Sequence, residues 1–62
     1  MTPRQYRTAI SRLSLSQVKA AKFLGVSPRQ SRRWALGESE VPKVVAILLE
    51  LMVKMGIKPD EI

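Results

Sequence analysis

One helix-start signal occurs twice in this chain, as TPRQ at residues 2–5 and as SPRQ at residues 27–30. In each string the hydroxyl residue can cap a helix N-terminus, and the proline takes the first helical position, where its missing N–H costs nothing. The glutamine then falls where a capping box places Glu or Gln. The strings therefore predict two helix starts, one of them near the middle of a chain of only 62 residues.

The apolar spacing and the glycines extend these starts into an all-α pattern. Gly25, Gly37 and Gly56 follow runs whose apolar residues recur three or four apart, which is where helices commonly end in a left-handed residue. No stretch alternates with period two, so we expect no strand. We predict one domain over residues 1–62, an all-α bundle of four or five helices. The predicted helices span about 3–13, 17–24, 28–36 and 42–55.

Positive charge is concentrated in the N-terminal part of the chain. Residues 1–37 contain eight Lys or Arg and no acidic residue, whereas residues 38–62 contain three Lys and five acidic residues. Charge that serves only solubility normally mixes both signs. A uniformly basic segment of this length favours a polyanionic partner, nucleic acid first of all.

The residue inventory argues against several other classes of protein. The chain has no Cys and no His, and it has no Gly-rich phosphate loop, so we expect neither an enzyme nor a metal or cofactor site. The longest apolar stretch, residues 44–55, is too short and too charged to span a bilayer, and the N-terminus lacks the apolar core of a signal peptide. We expect a cytoplasmic, nucleoid-associated protein with no membrane partner and no small-molecule ligand.

Only three residues separate the predicted second and third helices. Helices joined this tightly touch closely and need small inner side chains, which Ala20 and Ala21 supply. Residues 13–42, LSLSQVKAAKFLGVSPRQSRRWALGESEVP, resemble the Cro/repressor-type (XRE-like) helix-turn-helix family of phage and bacterial transcription regulators. The residues that match the family's recurrent types are Gln17, Ala21, Gly25, Val26, Ser27 and Trp34.

The resemblance implies that the third helix enters the DNA major groove with its N-terminal end first. Its helical register turns Ser31, Trp34 and Ala35 inward and Arg29 and Arg33 outward. Arg can pair with guanine and Gln with adenine through two hydrogen bonds each. We predict base contacts from Arg29, Gln30 and Arg33, and phosphate contacts from Gln17, Ser27, Arg32 and Lys22.

Ser31 departs from the family pattern, which usually has Val or Ile at this position. We expect its hydroxyl to bond back to the carbonyl of Ser27 and the site to be underpacked. On that hypothesis, Ser31→Val stabilises the fold by about 0.5 to 2 kcal/mol.

The fourth predicted helix has more apolar residues than one buried face needs. Ten of the fourteen residues at 43–56 are apolar. We expect the core face to consist of Val44, Ile47, Leu48, Leu51 and Met55. The apolar residues of this helix beyond that face predict a homodimer contact, unless the C-terminal tail folds back over them. The residues predicted to form the dimer contact are Val45, Leu49, Met52 and Val53.

Sequence-specific binding of double-stranded DNA by a small transcription regulator is the function that these patterns favour. The alternative is a protein-interaction module, such as an antitoxin or a phage accessory protein, in which the helix-turn-helix serves as scaffold. RNA binding ranks third, because the chain has no platform of aromatic residues for stacking on single-stranded bases.

Overall fold

A computed structural model describes residues 1–61; Ile62, the last residue of the predicted domain, lies outside them. The described chain is all-helical, without a strand in residues 1–61, which confirms the predicted class. The predicted helix bounds are confirmed to within one residue. The helices are α1 (Pro3–Arg12), α2 (Gln17–Leu24), α3 (Pro28–Leu36) and α4 (Lys43–Met55), followed by a short 3-10 helix (Pro59–Glu61).

The two repeated start signals both cap helices, but only one forms the full reciprocal box. At α1 the Gln5 N–H donates to the Thr2 hydroxyl at 3.1 Å, and the Thr2 N–H donates to the Gln5 side chain at 2.8 Å. At α3 the Gln30 N–H donates to the Ser27 hydroxyl at 3.1 Å. The Gln30 side chain does not accept the Ser27 N–H; its Nε2 donates to the Ser39 hydroxyl at 3.3 Å instead.

The hydrophobic core is centred on α1, which packs against each of the other three helices. Tyr6 of α1 is fully buried and meets Trp34 of α3 edge to face, with ring centroids 5.7 Å apart. Such aromatic pairs add about 0.5–1.5 kcal/mol to the gain from burial. The predicted inward position of Trp34 is therefore confirmed, and the α1–α3 contact sets the orientation of α3.

The prediction for the two faces of α4 is wrong, because the faces are exchanged. Ala46, Leu49 and Met52 are buried in the core of the chain, and Val45 and Val53 pack partly buried against it. The predicted dimer residues Leu49 and Met52 are therefore unavailable to a partner. Both faces of α4 are apolar, so the amphipathic pattern does not choose between them, and Ala46 lets the α4 backbone approach its neighbours closely. The face expected inside is exposed, and consists of Val44, Ile47, Leu48, Leu51 and Met55.

The prediction for Ser31 is also wrong. Its side chain is fully buried, and its Oγ lies 2.6 Å from the phenolic oxygen of Tyr6 rather than bonding to the carbonyl of Ser27. That carbonyl accepts the backbone N–H of Ser31, at 3.2 Å. No buried side-chain polar atom in residues 1–61 lacks a hydrogen-bond partner. Ser31 thus satisfies the only polar group of a buried tyrosine.

Replacing Ser31 should therefore destabilise the fold. We expect Ser31→Val to lower the free energy of unfolding by about 1–3 kcal/mol, because the Tyr6 hydroxyl loses its partner and the added methyl group must be fitted into a filled site. In a Tyr6→Phe background the same substitution should cost much less, since no hydroxyl is then left unpaired. Urea unfolding of the four chains, followed by circular dichroism, measures both effects. A higher stability of Ser31→Val alone would contradict the role of the hydrogen bond.

Candidate nucleic-acid interface

The link between α2 and α3 is a three-residue turn, residues 25–27. Gly25 has φ +73°, in the left-handed region that favours glycine, and the Val26 N–H donates to the Ala21 carbonyl at 2.9 Å. Ser27 then caps α3. The fully buried Ala20 and Ala21 allow the close packing of α2 on α3, the most extensive contact between helices here. This turn and this contact hold the N-terminus of α3 close to α2.

One side of α3 is buried and the other carries arginines. Trp34 and Ala35 lie in the core, as does Ser31. The three arginines are all exposed, as the helical register predicts. We call them the α3 outer face; they are Arg29, Arg32 and Arg33. Since residues 1–37 contain no acidic residue, no carboxylate from α1, α2 or α3 can neutralise these guanidinium groups.

The other residues predicted to contact DNA differ in their availability. Lys22 is exposed on α2, whereas Gln17, the first residue of that helix, is half-buried. Ser27 is exposed; its oxygen accepts the cap bond from the Gln30 N–H, which leaves its O–H free to donate to a phosphate. Gln30 is half-buried, with its amide nitrogen bonded to Ser39. The second hydrogen of this nitrogen and the side-chain oxygen are the two groups with which Gln30 can pair with adenine.

Two hydrogen bonds from α1 to α3 were not predicted from the sequence. Tyr6 bonds to Ser31 in the core, and one turn further along α3 the Arg7 Nη1 donates to the backbone carbonyl of Ala35. A guanidinium group is favourable near the last turn of a helix, where the negative end of the helix dipole lies. These pairs are separated by 25 and 28 residues in the chain, so no local sequence pattern marks them. Together they fix the rotation of α3 about its own axis.

The buried phenol is held in its neutral form. Burial raises the pKa of Tyr6 above its ordinary value, and the hydrogen bond to Ser31 lowers it in part. Because the group is already neutral near pH 7, this shift does not make the α1–α3 contact sensitive to pH in the physiological range.

Two further features of the described residues bear on function, the grouping of metal-ligating side chains and the length of the helices. Within residues 1–61, no group of three or more His, Cys, Asp or Glu is placed to hold a metal ion. None of the helices there is long and apolar enough to cross a membrane. Comparisons of the chain with protein-family models, with curated proteins and with solved structures found no match.

Proposed function

We propose that this chain is a helix-turn-helix domain that binds double-stranded DNA with sequence preference, with α3 in the major groove. The observation that carries the proposal is the α3 outer face, three exposed arginines on a helix whose opposite side is buried. No acidic residue occurs in the 37 residues that build α1, α2 and α3. Like charges four apart on a helix repel each other, so Arg29 and Arg33 cost stability unless a polyanion faces them.

Arg29 and Arg33 are the proposed base contacts. They lie on one side of α3, directly opposite its buried side, and a guanidinium group can donate two hydrogen bonds to guanine O6 and N7. Arg29 follows Pro28 at the N-terminal end of α3, the end that enters the groove in helix-turn-helix proteins. Gln30 is the third proposed base contact, through its second amide hydrogen and its side-chain oxygen.

Arg32, Lys22, Ser27 and Gln17 are the proposed phosphate contacts. Arg32 and Lys22 are exposed cations, and the Ser27 O–H is a free donor at the start of α3. Gln17 begins α2, where the backbone N–H groups and the positive end of the helix dipole favour an anion. Phosphate contacts of this kind position a protein on DNA without selecting the sequence.

Selection of bound duplexes from a random pool tests the proposal, combined with titrations at several salt concentrations. If each subunit neutralises three or four phosphates, the slope of log affinity against log salt is about −3 for a monomer and about −5 to −7 for a dimer. We expect a recovered motif and a slope within one of these ranges. Failure to enrich any sequence, with a slope near zero, would contradict DNA binding.

The second candidate is a protein-interaction module, and the exposed apolar face of α4 favours it. Large apolar side chains in a continuous stripe are typical of contact surfaces between proteins. A scaffold of that kind has no need for the α3 outer face. Loss of DNA binding on removal of those arginines therefore separates the two candidates.

A further inference from the structure

We propose that a second copy of this chain docks on the exposed side of α4 and forms a dimer with two-fold symmetry. The side is defined by five residues and is called the outer α4 face: Val44, Ile47, Leu48, Leu51 and Met55. The inference rests on the proposed function in one respect only: the dimer brings two α3 outer faces together on one DNA duplex. The association itself is argued from the outer α4 face alone.

The outer α4 face is apolar and unusually exposed. Val44 is 78% exposed, Met55 68% and Leu51 49%, with Ile47 at 47% and Leu48 at 38%. At 100° per residue the five side chains fall within about 100° of one another, the width of an ordinary core-facing stripe. The three charged residues of α4 all lie on one flank of it; they are Lys43, Glu50 and Lys54. The face is thus built like one that is normally buried, yet residues 1–61 leave it uncovered.

The spacing of the stripe fits a copy of itself. Val44, Leu48, Leu51 and Met55 are separated by four, three and four residues, the spacing of the contact positions of a coiled coil. The spacing is the same when counted from either end of the helix. In an antiparallel pair, each contact position therefore lies opposite a contact position of the partner subunit. Val44 then opposes Met55 of the partner subunit, and Leu48 opposes Leu51 of the partner subunit. Antiparallel pairing also opposes the two helix dipoles, which favours it over the parallel arrangement.

The area of the face is close to what a weak specific dimer needs. The five side chains expose on the order of 500 Å² of apolar surface, at the upper end of the largest patches on monomeric proteins. That is roughly a ninth of the accessible surface of the chain, which is 4473 Å² in total. Two copies bury at most about 1,000 Å², the lower limit for a specific interface. Interfaces of that size are typically weak, so we expect a dissociation constant on the order of 1–100 µM.

Sedimentation equilibrium of the whole chain between about 5 and 500 µM tests the dimer, since this range brackets the expected constant. We expect the mass to rise from monomer to dimer. Leu51→Lys and Val44→Lys should each raise the dissociation constant at least roughly 30-fold, because a lysine at a buried contact position must lose its hydration. Val44 is so exposed that its replacement leaves the fold intact, which circular dichroism checks.

Val18→Lys is the matched control, because Val18 is 62% exposed on α2 and the exchange adds the same charge. It should leave the dimer unchanged. A chain that remains monomeric at about 500 µM overturns the proposal, as does a Val18→Lys effect equal to that of Leu51→Lys. In both cases the outer α4 face would serve another partner or none.

The antiparallel register is tested by cross-linking, for which the absence of Cys from the chain is convenient. Val44→Cys and Met55→Cys are mixed under a glutathione redox buffer, and the products are separated by mass. We expect the mixed disulfide to form faster than the disulfide of either variant alone. Equal or faster self-linking of the single variants overturns the antiparallel arrangement.

The DNA titrations keep this inference separate from the proposed function. A Leu51→Lys chain that is monomeric should still bind DNA through the α3 outer face, with the shallower slope of about −3. A chain lacking Arg29 and Arg33 should still dimerise while it fails to bind DNA. If the unmodified chain dimerises but binds no DNA, only the proposed function is wrong.

Discussion

Arg29→Ala and Arg33→Ala should each remove the sequence preference of the chain at the base pair that the lost guanidinium group contacts. A guanidinium group that holds a guanine through two hydrogen bonds contributes about 1–3 kcal/mol of discrimination, so each loss lowers affinity for the selected duplex roughly 5- to 150-fold. Affinity for a scrambled duplex should fall far less. Fluorescence anisotropy with both duplexes at matched salt measures the ratio of the two affinities.

The controls separate base contacts from the general effect of charge. Lys22→Ala removes a proposed phosphate contact, so it should weaken both duplexes alike and make the salt slope shallower by about 1. Arg12→Ala removes an exposed guanidinium at the end of α1, away from α3, and should leave the affinity ratio unchanged. If Arg29→Ala and Arg33→Ala both preserve the ratio, α3 does not determine sequence preference and the protein-interaction alternative takes precedence.

Leu49→Ala should remove about half of the free energy of unfolding of the chain and lower its melting temperature steeply. Leu49 is fully buried in the core, and truncation of such a leucine costs about 2–5 kcal/mol through lost burial and the cavity that remains. A domain of this size has a total stability of only about 3–9 kcal/mol. Thermal unfolding followed by circular dichroism at a few micromolar protein shows the loss directly.

Leu51→Ala is the matched control, since the same atoms are removed from the same helix two residues further on. Leu51 is about half exposed, so the monomer should lose less than about 1 kcal/mol. Measuring both chains below the dissociation constant found by sedimentation keeps the dimer out of the comparison. Equal losses from the two substitutions would mean that α4 is rotated relative to the orientation described here.

The helices and the outward side of α3 were predictable from the sequence because their signals are local. Thr2 and Ser27 bond to backbone N–H groups three residues away, and glycine ends a helix through its own backbone conformation. The position of Trp34 determines which side of α3 is buried, and the absence of acidic residues from residues 1–37 needs no structure to be seen. The α3 outer face follows from these observations together.

Only the tertiary structure decided which side of α4 is buried and what holds α3 in place. Because both sides of α4 are apolar, burial free energy alone does not select one, and the choice depends on the shape of the surface that α1 presents to it. The hydrogen bonds from Tyr6 to Ser31 and from Arg7 to Ala35 join residues far apart in the chain. Their partners are set by how the helices pack, and local sequence carries no information on that packing. Burial of the Leu49 side of α4 leaves the outer α4 face exposed. The candidate dimer surface is therefore apparent only in the folded chain.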